Sequence, residues 1–151
     1  MDLCYSCESN NGNKRISPGI SIYEGKYWVV EHAYPSGLLG WIVIVLKRHC
    51  EELHNLIKDE WNELASIQYE LIKAMNIELK SSREYIACFA EIKGFKHIHF
   101  HVIPKTTKYN EENKGTKAFQ YLKAEGNERI SDKEVIEFCK LMNHRINNNS
   151  D

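Results

Sequence analysis

The sequence lacks several features that would assign it at once to a broad class of protein. Its longest strictly apolar run is segment 41–46, far shorter than the roughly 20 residues that a transmembrane helix needs. Basic and acidic residues number 20 and 21, so the formal charge of −1 shows no basic excess of the kind that nucleic-acid-binding domains carry. Residues 1–15 contain no apolar stretch typical of a signal peptide. We therefore expect a cytoplasmic protein with neither nucleic acid nor membrane as a partner.

Cysteine is scarce and odd in number, which argues against a disulfide framework. Five cysteines are spread over 151 residues, a length at which a hydrophobic core forms without disulfides. The hydrophobic fraction of 42% suffices for one such core. Only Cys4 and Cys7 lie close together in sequence, and their C-x-x-C spacing is typical of a metal site.

Apolar and β-branched residues mark four strand-forming segments. They cover residues 20–31, 41–47, 85–91 and 97–103. The first is predicted to fold into a hairpin around Glu24 and Gly25. The last is predicted to end at Pro104, which cannot donate a hydrogen bond to a neighbouring strand.

Two further segments show the helical spacing of apolar residues. One covers residues 59–78, and the other begins at a Ser-x-x-Glu capping box over residues 131–134. Between the last strand and this box, residues 105–129 are polar and rich in Lys and Glu. The order of elements predicts an α+β fold in which an antiparallel sheet carries helices on one side.

The strongest signal in the sequence is a row of alternating histidines at positions 97–103, HIHFHVI. Because side chains alternate along a strand, His97, His99 and His101 share one face and the apolar residues share the other. Three adjacent imidazoles need a metal, an anion or hydrogen bonds to organise them. The residues alone leave two chemistries open: a Zn²⁺ platform with a position for an activated water, or a nucleophilic imidazole that attacks phosphorus.

The segment 97–103 resembles the histidine triad (HIT) motif, in which three histidines alternate with apolar residues. Upstream, residues 40–49 (GWIVIVLKRH) are similar to the strand of that family that ends in a basic residue and a histidine. The resemblance implies a HIT-like α+β fold: an antiparallel five-stranded sheet, one long helix and an additional C-terminal helix. It further implies a catalytic domain over residues 1–104, with 105–151 as a C-terminal extension packed on the same domain.

The resemblance also implies a function. Members of the family are nucleotide hydrolases and transferases that act on α-phosphates of dinucleoside polyphosphates and nucleoside phosphoramidates. His99, the middle histidine, would be the nucleophile that forms a nucleotidyl-imidazole intermediate, from which water releases a nucleoside monophosphate. His101 would contact the phosphate, and it favours the hydrolases because a uridylyltransferase-like branch carries Gln at that position. Members of the family usually pair, so a homodimer is implied.

A structural zinc ion is implied by the same resemblance. Many bacterial-type members complete a tetrahedral site with ligands that correspond here to Cys4, Cys7, His49 and His97. A closed site with four protein ligands has no position for an activated water, so the zinc would be structural. His54 is an alternative ligand that we expect at the surface instead.

Substrate-binding residues are less clearly marked. We expect the nucleotide base to contact three apolar residues of the N-terminal hairpin: Ile20, Ile22 and Val30. Segment 91–96 (EIKGFK) lacks the Gln and Ser/Thr that many family members carry before the triad, which makes Lys93 or Lys96 the candidate for phosphate contact. Glu31 or His32 occupies the region in which many members carry a ribose-binding Asp.

Two other functions remain compatible with the sequence. A metal-dependent hydrolase would use His97, His99 and His101 as ligands, with Glu91 nearby. A noncatalytic nucleotide-binding module is the second, and the absence of the Gln and Ser/Thr side chains before the triad favours it.

Overall fold

A five-stranded antiparallel sheet forms the centre of the structure, a computed structural model that describes residues 2–148. Its strands are β1 (Tyr23–Glu24), β2 (Trp28–His32), β3 (Ile42–Leu46), β4 (Arg83–Ala87) and β5 (His99–Lys105). Their order across the sheet is β1-β2-β3-β5-β4, and every neighbouring pair is antiparallel. The predicted α+β fold with a five-stranded antiparallel sheet is therefore confirmed.

Three α-helices accompany the sheet: α1 (Tyr5–Asn10), α2 (Lys58–Leu79) and α3 (Asp132–Asn148). The predicted capping box at the start of α3 is confirmed, because Glu134 N–H donates to Ser131 Oγ at 3.2 Å and Ser131 N–H donates to Glu134 Oε2 at 3.1 Å. Short 3₁₀ turns cover most of 111–128. Residues 149–151 of the predicted C-terminal extension lie outside the described residues.

The long helix α2 covers one face of the sheet. Its buried apolar residues recur at helical spacing: Leu64, Ile67, Leu71, Ala74 and Met75. At its start, the Glu60 carboxylate accepts from Ile57 N–H at 2.9 Å and from Arg48 Nε at 2.7 Å. Helix α3 adds its own buried residues to the same core: Val135, Phe138, Cys139 and Met142.

The register of the sheet decides which residues face α2 and which face away from it. Ile44 lies opposite Phe100, and both belong to the core beneath α2. One residue along, Val43 lies opposite His101, so this pair points to the other face. That second face carries the candidate site.

Three local details differ from the sequence-based predictions. Strand β5 continues through Pro104 to Lys105. The nitrogen of Pro104 is on the side of β3, and the pairing of β5 with β3 ends at Val102, so Pro104 costs the sheet no hydrogen bond. Strand β4 begins at Arg83 and ends at Ala87, and the chain then turns at Ala90, whose φ is 49°. Helix α1 was not predicted, since six residues are too few for a periodic pattern.

Within residues 2–148, none of the helices combines the length and hydrophobicity that a membrane span requires.

Candidate active site

His99 lies at the start of β5, on the face of the sheet that points away from α2. Its Nδ1 lies 2.7 Å from the carbonyl oxygen of His97, so Nδ1 carries the proton and donates to that oxygen. This hydrogen bond leaves Nε2 with a free lone pair. Burial lowers the pKa of His99, an effect that the bond to His97 partly offsets.

His101 lies next to His99, with the two ring centroids 4.9 Å apart. The indole N–H of the fully buried Trp41 donates to His101 Nδ1 at 3.0 Å, and the ring of Phe119 packs edge-on with its centroid 4.9 Å away. Burial, together with the nearby His99, lowers the pKa of His101 to about 3. His101 is therefore a neutral imidazole at physiological pH.

The third histidine of the row belongs to a different cluster. Cys4, Cys7, His49 and His97 each offer one ligand atom, and these four atoms all lie within 4.8 Å of one another. His97 Nδ1 lies 3.5 Å from Cys4 Sγ and 3.4 Å from Cys7 Sγ, and His49 Nδ1 lies 3.4 Å from Cys7 Sγ. Tetrahedral zinc with ordinary bond lengths separates S and N ligands by about 3.6 Å, so the four residues fit such an ion.

The surroundings of the cluster suit a metal as well. The other ring nitrogen of His97 donates to the carbonyl oxygen of Leu46 at 2.6 Å, and that of His49 lies 3.3 Å from a Glu51 carboxylate oxygen. Such outer contacts fix the tautomer of metal-binding imidazoles and leave Nδ1 for the ion. Burial and the adjacent Cys4 raise the pKa of Cys7 to about 11, and binding of a metal ion favours the thiolate form of such a cysteine. His54 is exposed and lies outside this cluster.

A cavity of about 520 Å³ opens in front of His99 and His101. Most of its lining is apolar and comes from four regions: Ile16, then Val43 and Val45, then Phe89, Ile92 and Phe95, then Phe119 and Leu122. Polar groups are few, with Ser6, Ser9 and Asn10 of α1 on one side and Glu31 and Glu91 among the others. Within residues 2–148, no Lys or Arg lines this cavity.

Four of the residues expected to contact the base or the phosphate do not line the cavity: Ile20, Ile22, Val30 and Lys93. Ile22 and Val30 are fully buried in the core on the α2 side of the sheet. Val30 alternates with Glu31 along β2, and Ile22 N–H donates to Val30 O from the segment just before β1. Ile20 is 48% exposed and Lys93 is exposed, and both lie outside the cavity wall. Val43 and Val45 of the next strand line the cavity instead.

Of the two candidates for ribose contact, Glu31 has free acceptor capacity in the cavity. Arg15 donates to its two carboxylate oxygens at 2.7 and 3.0 Å, and Ser21 donates to one of them at 2.8 Å. His32 uses both of its ring nitrogens inside the protein: Nε2 accepts from Gly40 N–H at 2.9 Å, and Nδ1 donates to Ala33 O at 2.7 Å.

Sequence reasoning missed three contributors to the site. Trp41 lies in the segment 41–47, which the sequence predicts only as a strand, although the indole N–H of a buried Trp usually requires an acceptor. Phe119 and Leu122 come from the polar segment after β5, where they were two of the few apolar residues. Their isolation in that segment was the available signal that they pack against the domain.

Comparison with known families gives one match in sequence. The HIT domain family model matches residues 14–108, more than half of the chain, which includes the whole sheet and the histidine row. Cys4 and Cys7 precede the matched region. No curated protein matches the chain.

Solved structures share the fold over nearly the whole chain. A Zn-bound histidine triad family protein from Mycobacterium smegmatis has a TM-score of 0.68 at 19% identity, covering 95% of this chain and 93% of its own. A histidine triad nucleotide-binding protein from Sulfolobus tokodaii has a TM-score of 0.72 at 18% identity, covering 96% and 93%. Diadenosine triphosphate hydrolase from Plasmodium falciparum has a TM-score of 0.65 at 16% identity, covering 87% and 78%. At these identities the likeness is one of fold.

Proposed function

Because this chain belongs to the histidine triad (HIT) domain family, we propose that it is a nucleotide hydrolase or nucleotidyl transferase that attacks an α-phosphate through His99. The substrates are dinucleoside polyphosphates or nucleoside phosphoramidates. The observation that carries the proposal is the hydrogen bond from His99 Nδ1 to the His97 carbonyl, which leaves the Nε2 lone pair free on the wall of the cavity.

The reaction takes two displacements at phosphorus. In the first, His99 Nε2 forms a bond to the α-phosphorus while the bond from phosphorus to the leaving group breaks, and a leaving amine takes its proton from water. In the second, a water oxygen bonds to phosphorus, the Nε2–P bond breaks, and the proton of the water passes to solvent. His99 returns to its neutral form and a nucleoside monophosphate leaves.

His101 assists both steps as a neutral hydrogen-bond donor. Because Nδ1 accepts from Trp41, the proton of its neutral ring sits on Nε2 and is available to a phosphoryl oxygen. In a cavity without Lys or Arg among its described lining residues, such a donor stabilises the charge that gathers on those oxygens in the transition state.

Glu31 is the proposed contact for the ribose hydroxyls. Its carboxylate lies in the cavity wall, and Arg15 and Ser21 hold it in place while leaving one lone pair of Oε2 unused. We expect Glu31→Gln to raise KM for a ribonucleotide substrate about tenfold, since hydrogen bonds to charged groups contribute about 1.5–3 kcal/mol. A 2′,3′-dideoxy substrate assayed in parallel should show no such change.

The Cys4, Cys7, His49 and His97 cluster is the proposed zinc site. Bound there, the ion would contribute structural stability, because four protein ligands leave no position for a water. This assignment separates His97 from the chemistry of His99. The alternative in which all three histidines bind one metal is not supported, since both ring nitrogens of His97 are engaged away from His99 and His101: Nδ1 with the sulfurs of Cys4 and Cys7, and Nε2 with Leu46 O.

A homodimer is proposed as well. Strand β4 forms one edge of the sheet, and it carries the exposed Ile86. Two large apolar residues of α2, Tyr69 and Ile77, are more than half exposed. Sedimentation equilibrium of the full chain tests this part of the proposal, and a monomer at all concentrations would contradict it.

The decisive experiment compares the full chain with His99→Ala on two substrates, diadenosine tetraphosphate and an adenosine phosphoramidate. We expect the wild type to release adenosine monophosphate and to yield an adenylylated protein in mass spectra of a rapid quench. The variant should lose about 10³-fold or more in kcat/KM and show no adduct. His144→Ala removes an exposed histidine of α3 and serves as the matched control.

The other outcomes of this experiment point to the other functions. Turnover that is unchanged in His99→Ala would refute the nucleophile. Nucleotide binding without any monophosphate release, even at high protein concentration, would indicate a noncatalytic binding module. Turnover that disappears on chelation while the fold persists, with no adduct in the wild type, would indicate a metal-dependent hydrolase.

A further inference from the structure

We propose that Trp41 is a positioning residue that locks His101 in its Nε2–H tautomer, so that His101 acts as a fixed hydrogen-bond donor rather than as a titrating acid. The inference deepens the proposed function and rests on it for its catalytic meaning. The lock itself is a property of the protein without substrate.

The tautomer follows from the chemistry of the two rings. The indole Nε1 of Trp41 is a donor with no acceptor capacity, and it lies 3.0 Å from His101 Nδ1. Nδ1 must therefore be the unprotonated nitrogen of His101, and the single proton of the neutral ring sits on Nε2. A proton on Nδ1 would place two N–H donors head to head.

The indole is held rigidly in position. Trp41 is fully buried and directly precedes β3, and its ring meets both His101 and Phe119 edge-on, with centroids 5.7 and 5.2 Å away. Phe119 also packs on His101. Neither ring can turn away without opening a gap in a close-packed aromatic group.

The surroundings of His101 also favour the neutral ring over the doubly protonated one. Across the sheet its neighbours in register are Val43 and Ala87, which are apolar, and Phe119 covers it from the 3₁₀ segment. His99 is the titratable group beside it among the described residues, and two adjacent imidazolium ions would repel each other. No carboxylate within residues 2–148 contacts the ring to stabilise a second proton.

A fixed neutral donor suits the reaction because it is in the correct protonation state across the working pH range. A histidine free to exchange tautomers would present a lone pair to the phosphoryl oxygens for part of the time, and that geometry is repulsive. Trp41 excludes this second tautomer, so the Nε2–H donor of His101 is already in place when the substrate binds.

The first test needs no substitution. Long-range ¹H–¹⁵N correlation spectra of the full chain with ¹⁵N-labelled histidine report the protonation of each ring nitrogen. The signals of His101 are identified by their disappearance in the His101→Gln variant. We expect a pure Nε2–H pattern for His101 that persists as the pH is lowered from 8 to 5. A mixed or Nδ1–H pattern in the wild type overturns the proposal.

The second test is Trp41→Phe, which keeps an aromatic ring but removes the donor. We expect tautomer exchange at His101, an upward shift of its pKa, and a fall in kcat of about tenfold with KM within about twofold, as one lost hydrogen bond allows. A tautomer pattern and kcat that match the wild type in a folded Trp41→Phe protein overturn the proposal.

Trp28→Phe is the matched control. Trp28 is also fully buried and donates its indole N–H, to Glu60 O at 2.8 Å, but it lies on the α2 side of the sheet. It should leave the His101 pattern and kcat unchanged, and a loss equal to that of Trp41→Phe would assign the effect to general destabilisation. Should the wild type release no monophosphate, the proposed function fails, while the spectra still decide the tautomer.

Discussion

Tyr5 lies directly against Gly94, and this contact joins the metal cluster to the wall of the cavity. The backbone N–H of Tyr5 donates to the carbonyl oxygen of Gly94 at 2.9 Å, and a Cβ on Gly94 would lie 2.5 Å from the Tyr5 ring. Tyr5 follows Cys4 in sequence and begins α1. Gly94 belongs to the loop that brings Phe89, Ile92 and Phe95 to the cavity.

Gly94→Ala should break this connection. The new Cβ would meet the Tyr5 ring at 2.5 Å, and the φ of 85° is a conformation that side chains with a Cβ rarely adopt. We expect a loss of about 2–4 kcal/mol in the free energy of unfolding, from backbone strain and overpacking together, with weaker nucleotide binding. Denaturant unfolding and calorimetric titration with adenosine monophosphate measure the two effects.

Gly12→Ala separates the strain from the contact. Gly12 has a φ of 77°, but a Cβ there would meet nothing within 4 Å. Only the strain of about 1–2 kcal/mol should appear, with nucleotide binding unchanged. Equal losses in the two variants would show that the Tyr5 contact contributes nothing.

Removal of zinc should destabilise the protein and loosen the cavity wall. An ion in hundredfold excess over its Kd contributes about 2.7 kcal/mol, which corresponds to a shift in Tm of roughly 5–10 °C for a chain of this size. We therefore expect chelation to lower Tm by that amount. Hydrogen exchange should accelerate in loop 89–95, because Tyr5 holds Gly94 from the segment that carries Cys4 and Cys7.

Variants of the ligands identify the site. Cys7→Ser should abolish the one-to-one zinc content measured by elemental analysis, whereas His54→Ala should retain it, since His54 lies outside the cluster. A Tm that does not respond to zinc, or full zinc content in Cys7→Ser, would contradict the assignment.

The backbone fold was largely predictable from the sequence because its signals are local. The stripe of α2 and the capping box of α3 each occupy one stretch of chain, and both predictions hold within one or two residues. The cluster of Cys4, Cys7, His49 and His97 was predicted through the resemblance to a family, since Cys7 and His97 are 90 residues apart in the chain. No periodic pattern could have paired them.

The residues expected to contact the base lie outside the cavity, and for Val30 the reason is strand parity. Val30 is as apolar as Val43, and only the register of the folded sheet, in which Val43 lies opposite Glu31, puts Val43 in the cavity wall. A shift of one residue moves a side chain to the other face of a sheet. Likewise, no local signal places Phe119 on His101, because the two residues are 18 positions apart in the chain.

His32 should make the stability of the protein depend on pH below neutrality. Burial lowers its pKa to about 4, against an ordinary value of 6.5. Between these two values the unfolded chain binds a proton that the folded protein does not, so stability is full above pH 6.5 and falls as the pH drops toward 4. The loss from this group is roughly 3 kcal/mol, which urea unfolding at a series of pH values measures.

Variants of two histidines isolate this contribution. His32→Gln should be less stable at neutral pH, because it disturbs the hydrogen bonds to Gly40 and Ala33, but its stability should fall less steeply with acid. His144→Gln removes an exposed ring and should keep the slope of the wild type. An unchanged slope in His32→Gln would mean that His32 takes up its proton in the folded state.

Phe119 should be required for the site although it lies beyond the sheet, in a segment that carries no recognisable motif. Its ring touches His101, Trp41 and, at a centroid distance of 5.3 Å, Phe89. Phe119→Ala leaves the rings of His101 and Trp41 uncovered. We expect a loss of about 2–3 kcal/mol in the free energy of unfolding and a several-fold rise in KM. The loss lies below the usual range for a fully buried Phe because this ring is half-buried.

Phe89→Ala provides the comparison. Phe89 also lines the cavity, but it is 61% exposed and touches neither His101 nor Trp41 among the aromatic contacts. It should raise KM with a stability loss of less than about 1 kcal/mol, because little area is buried. If Phe119→Ala were as stable as Phe89→Ala and kept the wild-type kcat and KM, the segment after β5 would be a surface decoration and not part of the site.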